Sequence, residues 1–168
     1  MTYDYYGPNS DIAGPVAPMK GFSQGKYFFD VTTTYSDFEK LLPKNKLIMG
    51  IPYYGWEWAV ENGSTVDSET LSSSDPNSYA ALISYARYRE DTDIKQNQCA
   101  WESDAEETWC WFTDTKTGID HQLWPMDNKA INIRFEYANQ QDLGGVAIWT
   151  LGLDKNYPDL WNLIQNTF

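Results

Sequence analysis

Positive charge is scarce in this sequence. Its 168 residues carry 12 lysines and arginines against 24 aspartates and glutamates, a formal net charge of −12. Without a basic cluster to neutralise phosphates, the composition argues against nucleic acid and against anionic membranes as partners. No apolar run approaches the roughly 20 residues that a membrane helix needs. No basic segment followed by an apolar one is visible at the start of the chain. Histidine and cysteine are also sparse: His121 is alone, and Cys99 and Cys110 are too few to build a structural zinc site. Asp91, Asp93 and Lys95 imitate the opening of a calcium loop but lack its turn glycine and distal glutamate, and Asp114 and Gly118 fail in the same way. There is no phosphate-cradling glycine loop and no nucleophile motif, so neither a metal nor a cofactor is expected. His121 reads as a surface or half-buried strand residue.

Aromatic side chains, by contrast, are abundant. Eight Trp, twelve Tyr and seven Phe make up 16% of the chain. Trp and Tyr join an apolar face to a polar handle that must find a partner. That profile suits a groove that stacks on sugar rings and hydrogen-bonds their hydroxyls, and it equally suits a core rich in large residues.

The pattern along the chain is α/β. Met1 to Tyr6 reads as a short strand closed by Gly7-Pro8, followed by a long Gly/Pro/Ser-rich loop to Gly25. A helix is predicted from about Lys26 to Leu42, with Val31, Tyr35, Phe38 and Leu42 on one face and Pro43 stopping it. The apolar run from Leu47 to Ile51 has the look of a parallel strand buried on both faces. Later, Asp127 caps a helix to about Gln141, Gly144 suits its C-terminal turn, Val146 to Leu151 forms another buried strand, and Pro158 opens a last helix.

Between the buried strands lies an α+β insertion, so the chain divides into residues 1–58, 59–126 and 127–168. Asn62-Gly63 signals a hairpin turn, Ser74 or Asp75 opens a helix to about Arg89, and a strand runs from Ile119 to Leu123. Two aromatic strands flank Ser103 to Glu106. If Asp104 and Ala105 form the tip of that hairpin, Cys99 faces Cys110 directly. Either a cross-strand disulfide or two reduced buried thiols is compatible with this register.

Three segments together resemble family 18 of the glycoside hydrolases, the chitinase family. Met1-Thr2-Tyr3-Asp4-Tyr5 is similar to that family's sixth-strand motif M-x-Y-D. Lys46 to Gly55 resembles its seventh strand, and Gly144 to Trp149 its eighth. Val16-Ala17-Pro18, the run Tyr54 to Trp58, and Trp124 to Asp127 resemble the bacterial and spore cell-wall lytic branch. Many chitinases carry Arg after the seventh-strand Tyr-Gly, whereas Trp56 stands there, which favours a peptidoglycan-type substrate over plain chitin.

The resemblance implies a partial (β/α)8 barrel of the TIM type, comprising strands six to eight with the insertion between the last two, and a site at the C-terminal strand ends. It implies substrate-assisted retaining hydrolysis of β-1,4-linked N-acetylglucosamine polymers. In that scheme Tyr3 and Asp4 are the catalytic candidates, with Tyr3 bonding the N-acetyl group and Asp4 orienting it. Met1, Tyr54, Trp56 and Trp149 bind substrate, Trp149 as the floor under the reactive sugar. The family's acid lies on the fourth strand in a D-x-x-D-x-D-x-E motif that does not occur here. The expectation is therefore a C-terminal part of a glycosidase, inactive alone, or alternatively of a chitinase-like lectin for the same glycans. An extracellular or cell-wall location follows from the resemblance. Unpaired barrel edges beside Ile148 and Leu151 imply self-association.

Overall fold

The computed structural model describes residues 1–71, 80–91, 94 and 98–168. In chain order the elements are α1 (Val31–Glu39), a 3-10 turn at Lys44–Lys46, β1 (Ile48–Pro52), β2 (Tyr54–Val60), β3 (Ala81–Ser84), α2 (Tyr85–Glu90), β4 (Cys99–Glu102), β5 (Glu107–Thr113), β6 (Asp120–Trp124), α3 (Asn128–Gln140), β7 (Gly145–Trp149) and α4 (Asp159–Thr167). They form two sheets. β1 and β7 pair in parallel, Ile48 opposite Gly145 and Pro52 opposite Trp149, and the other five strands make an antiparallel sheet in the order β3-β2-β6-β5-β4.

Side-chain alternation splits the parallel pair into two unlike faces. Met49 and Ile51 of β1 pack with Val31 and Tyr35 of α1, Ala130, Ile131 and Phe135 of α3, and Leu160 of α4. On the other face stand Ile48 and Trp149, 49% and 57% exposed. Gly50 and Pro52 of this face are buried, and at Gly50 an added Cβ would lie 2.9 Å from the Tyr3 ring and 3.1 Å from Met1 Cα.

The antiparallel sheet is also two-faced. Trp58, Val60, Trp109 and Trp124 form one core with Ala13, Val16 and Tyr27 of the long loop. Trp109 stacks on Trp111 with centroids 4.6 Å apart, and the Trp124 indole N–H donates to Gln122 Oε1 at 2.9 Å. Much of the aromatic excess is therefore core. Ile83, Cys110 and Leu123 make a smaller cluster on the opposite face. β2 crosses the boundary set from the sequence at Trp58.

One buried ion pair joins the layers. Arg134 of α3 and Glu107 of β5 are both fully buried, with Nη2 2.8 Å from Oε1. The guanidinium also donates to the carbonyls of Ala17, Ala105, Glu106 and Ala130. Glu107 in turn accepts the Val16 and Ala17 backbone N–H groups at 2.9 and 2.8 Å. Burial pushes the Glu107 carboxyl up to about 7, against the opposing pull of Arg134 and those two amides.

Several expectations need correction. Met1 to Tyr6 forms no strand. Asp4 has φ 58°, a left-handed conformation that interrupts extended backbone. The segment instead touches β1 through side chains, such as the Thr2 hydroxyl on the Gly50 carbonyl at 3.1 Å. Helix α1 starts at Val31 rather than Lys26, because buried Asp30 caps it through Thr33 N–H at 2.6 Å while also accepting Phe22 N–H at 2.8 Å. Burial opposes ionisation of Asp30, yet these donors hold its carboxyl below the usual range. Phe38 is exposed on the helix, and Leu42 lies beyond its end and is exposed too.

The left-handed residue after α3 is Asp142, at φ 53°. Gly144 serves a different purpose: a Cβ there would meet the Asn45 carbonyl oxygen at 2.5 Å. Asn62-Gly63 starts a longer connection, closed by Glu61 N–H on the Glu69 carbonyl and a Val60–Thr70 bridge. Where a helix was expected up to Arg89, Ala81–Ser84 is strand β3 and the helix begins only at Tyr85, capped by Ser84. Ser74, Asp75, Asp93 and Lys95 lie outside the described residues.

The hairpin tip comprises the four turn residues 103–106, with the Asp104 and Ala105 N–H groups on Glu102 Oε2. The β4–β5 register sets Cys99 opposite Cys110, and the two are joined by a disulfide.

Arg134→Leu should cost about 3–5 kcal/mol in urea unfolding, because it strands a buried carboxylate. The loss should be larger at pH 8 than at pH 5, since an orphaned Glu107 takes up a proton as pH falls and its burial then costs less. Separately, the protein under oxidising conditions should show no free thiol by mass spectrometry. Reductant should lower its stability by about 2–3 kcal/mol, the contribution of closing so short a loop.

Candidate functional site

The polar groups that converge at the C-terminal end of β1 come from two segments about fifty residues apart. β1 ends at Pro52, and after Tyr53 the chain continues straight into β2, so Tyr54 and Trp56 project from the first residues of the antiparallel sheet. Both are alternate residues of one strand and point to the same side. Asp4 reaches them from the start of the chain.

The Tyr54 hydroxyl lies 2.9 Å from Asp4 Oδ1 and 2.8 Å from Oδ2, and donates to the carboxylate. The Trp56 indole N–H donates to Oδ1 at 2.9 Å. An indole nitrogen can only donate, so Asp4 is the acceptor throughout. Burial, then the hydrogen bond and charge of Asp4, push the Tyr54 phenol far above its ordinary range, which keeps its proton in place. Tyr3 meets Tyr54 edge-to-face at 6.2 Å, and its phenol is also raised, by burial first and by the Asp4 charge second. Tyr54 in turn meets Trp56 edge-on at 5.7 Å.

The site candidates do not all converge. Tyr3, Asp4, Tyr54 and Trp56 form one contiguous cluster. Trp149 stands at the same end of the parallel sheet, opposite Pro52, with its carbonyl accepting Tyr53 N–H at 2.8 Å and a cis peptide following it. Its indole makes no ring contact with the cluster. The Met1 side chain is almost fully exposed.

His121 faces away from this site. It stacks on Phe112 with centroids 5.0 Å apart, and its Nδ1 lies 2.9 Å from Glu57 Oε1. Among the described residues no group of three or more His, Cys, Asp or Glu is arranged to hold a metal ion.

Sequence reading missed Gly55. A Cβ at that position would lie 1.9 Å from the Trp124 carbonyl oxygen, so only glycine lets β2 lie against β6 where Tyr54 and Trp56 leave the parallel layer. A lone glycine between aromatic residues in an apolar strand is the available signal for such a close approach.

The family model for glycosyl hydrolases family 18 matches residues 1–154, and the chain belongs to that family. It is 28% identical over 157 residues to a class V chitinase of Arabidopsis thaliana, covering 93% of this chain and 40% of the plant protein. It is 25% identical over 173 residues to the cortical fragment-lytic enzyme of Bacillus anthracis, covering all of this chain and 34% of that enzyme. Among solved structures, the Group IV chitinase of Ostrinia furnacalis in complex with allosamidin superposes with a TM-score of 0.79 at 19% identity, over 99% of this chain and 48% of that one. The chain thus shares the fold of family 18 chitinases while spanning less than half the length of these relatives.

Gly55→Ala should push β2 off β6 and cost about 1–3 kcal/mol or more through overpacking. Tryptophan fluorescence and thermal unfolding would both register the change, and an unperturbed Gly55→Ala protein would contradict the close approach.

Proposed function

We propose that this chain supplies the C-terminal part of the (β/α)8 barrel of a glycosidase acting on β-1,4-linked N-acetylglucosamine polymers, of the peptidoglycan or chitin kind. The observation that carries the reading is the cradle in which Tyr54 and Trp56 hold Asp4 at the C-terminal end of β1, with Trp149 exposed at the matching end of β7. Barrel enzymes build their sites at such ends. The exposed part of the β1–β7 face, at Ile48 and Trp149, supports a partial barrel, as does the share of each relative that the chain spans. In a complete barrel that face would line the interior.

In this reading Tyr3 contacts the acetamido group of the reactive sugar, Asp4 orients that group and balances charge on it, and Trp149 stacks beneath the ring. Met1 packs near the acetyl methyl. The protonating acid comes from elsewhere in the barrel, so the chain alone binds glycan without cutting it. The parent enzyme works outside the cell or at the cell wall, and the isolated chain self-associates through its open edges.

Binding and turnover can be tested together on the purified chain. Titration with N-acetylglucosamine oligomers and with peptidoglycan fragments should show saturable binding without release of shorter products. Trp149→Ala should weaken that binding by about 1 kcal/mol, what an aromatic contact adds beyond area burial. Turnover that disappears with Asp4→Ala would refute inactivity of the chain, and unchanged affinity in a folded Trp149→Ala protein would remove Trp149 from the groove.

A further inference from the structure

The Asn62-Gly63 step lies outside the candidate site, two residues past the end of β2, and it is the one Asn-Gly step in the sequence. Asn62 is exposed. Its Oδ1 accepts the Ser64 backbone N–H at 3.1 Å and the Ser64 hydroxyl at 2.9 Å. Two donors on one amide oxygen draw electrons from Cγ and stand where negative charge gathers when Cγ is attacked. The next nitrogen along the chain belongs to Gly63, which has no Cβ to obstruct an approach. That nitrogen is engaged, because its N–H donates to Asp120 Oδ2 at 3.1 Å. The other Asp120 oxygen accepts the Thr113 hydroxyl at 2.6 Å. These two donors, Thr113 first, hold the Asp120 carboxyl below the usual range, so it is a charged acceptor at neutral pH. The electrophile is therefore primed while the nucleophile is held back.

We infer that Asn62-Gly63 is a self-modification site, at which the Gly63 backbone nitrogen displaces the Asn62 side-chain amide, and that Asp120 sets its rate by holding that nitrogen's proton. In this step the bond from Gly63 N to Asn62 Cγ forms and the Cγ–Nδ2 bond breaks, its electron pair leaving on Nδ2. The Gly63 amide proton goes with it, so the products are ammonia and a succinimide ring. Water then opens the ring. Attack at Cγ gives aspartate, and attack at the main-chain carbonyl of Asn62 gives isoaspartate, which routes the main chain through the side chain and adds a carbon to it. Nothing but water is consumed. Asp120 opposes the first step twice: Gly63 must give up a hydrogen bond, and an anion beside the nitrogen disfavours loss of its proton. Conversion would also reach the aromatic core. The Gly63 carbonyl accepts Gln122 Nε2 at 3.1 Å, and Gln122, fully buried, accepts the Trp124 indole N–H. An added carbon draws that carbonyl off Gln122 and leaves a buried amide N–H without its partner. Every group involved lies in the antiparallel sheet or in the connection after β2, so the inference is independent of the glycan reading.

The test holds the folded protein at mildly alkaline pH for several days and follows Asn62 by peptide mass spectrometry, with isoaspartate told from aspartate by its separate elution. The expected result is conversion at Asn62, slower than in the same protein kept unfolded in guanidinium chloride. Asp120→Ala should speed conversion in the folded protein about three- to tenfold, the effect of losing one hydrogen bond to a charged group at a part-exposed position. Asp120→Asn keeps an acceptor oxygen and should restore part of the restraint. Converted protein, separated by its extra negative charge, should unfold at lower urea than unconverted protein. Asn62 that stays intact in both the wild type and Asp120→Ala would overturn the site. An Asp120→Ala rate equal to the wild-type rate would overturn control by Asp120. If Asp120→Ala does not fold, the ratio of folded to unfolded rates and the Asp120→Asn rate decide the same point. Equal urea midpoints for converted and unconverted protein would overturn the coupling to Gln122.

Discussion

The contact on which the architecture most depends is the buried pair between Arg134 and Glu107. It belongs to neither sheet alone. Arg134 lies on α3, which covers the parallel strands, and Glu107 opens β5 in the antiparallel sheet. Between them runs the long loop, which has almost no strand pairing of its own and must satisfy its backbone polar groups elsewhere. Glu107 takes the N–H groups of Val16 and Ala17, and Arg134 takes the Ala17 carbonyl. The Val16 carbonyl then accepts Tyr5 N–H at 3.1 Å, one residue past Asp4. A short series of bonds therefore leads from a fully buried ion pair to the carboxylate at the site. Replacing such a pair by apolar residues can be neutral for stability. Here that exchange would also release the loop that leads back to Asp4.

Aromatic residues divide between two tasks, and composition alone does not separate them. Trp58, Trp109 and Trp124 are buried on one face of the antiparallel sheet, under the loop that carries Val16 and Tyr27. Two of their N–H groups face inward as well: Trp58 reaches the Gly7 carbonyl at 3.3 Å and Trp124 reaches Gln122. Trp56 belongs to the same strand and the same face as Trp58, yet it sits where the cover ends, and its N–H goes to Asp4. One strand face thus continues from core into site, and the position of the loop determines where the change occurs.

The elements legible in the sequence are those whose signals are local. The apolar run that became β1, the Asp127 cap of α3 and the strand expected from Val146 to Leu151 depend on neighbours a few residues away, although that strand forms at Gly145–Trp149 and is partly exposed rather than buried. The Cys99–Cys110 register depends only on where the hairpin turns, so a four-residue tip left it unchanged. Met1 to Tyr6 has the composition of a strand, but Asp4 adopts a left-handed conformation that its composition does not announce. The start of α1 is set by Asp30, which is occupied twice, by Thr33 and by Phe22, and only the tertiary structure brings Phe22 there. Family likeness made Tyr3, Asp4, Tyr54 and Trp149 recognisable as candidates. That Trp56 donates to Asp4 across a separation of 52 residues could be read only from the folded chain.

The site also explains why the two sheets have to meet. The parallel pair ends at Pro52 and Trp149, and it offers one exposed tryptophan and no charged side chain. The antiparallel sheet supplies the donors, but Tyr54 and Trp56 would have nothing to hold without the chain start that crosses β1. Gly55 is the point of compromise. It allows β2 to run against β6 within two residues of leaving the parallel layer, closer than any side chain would permit. Were β2 to join its sheet one turn of the pleat later, Tyr54 and Trp56 would rise away from the strand end and Asp4 would lose both donors. The geometry of a carboxylate held by a hydroxyl and an indole therefore depends on the backbone contact that β2 makes with β6 at Gly55, the residue between the two donors.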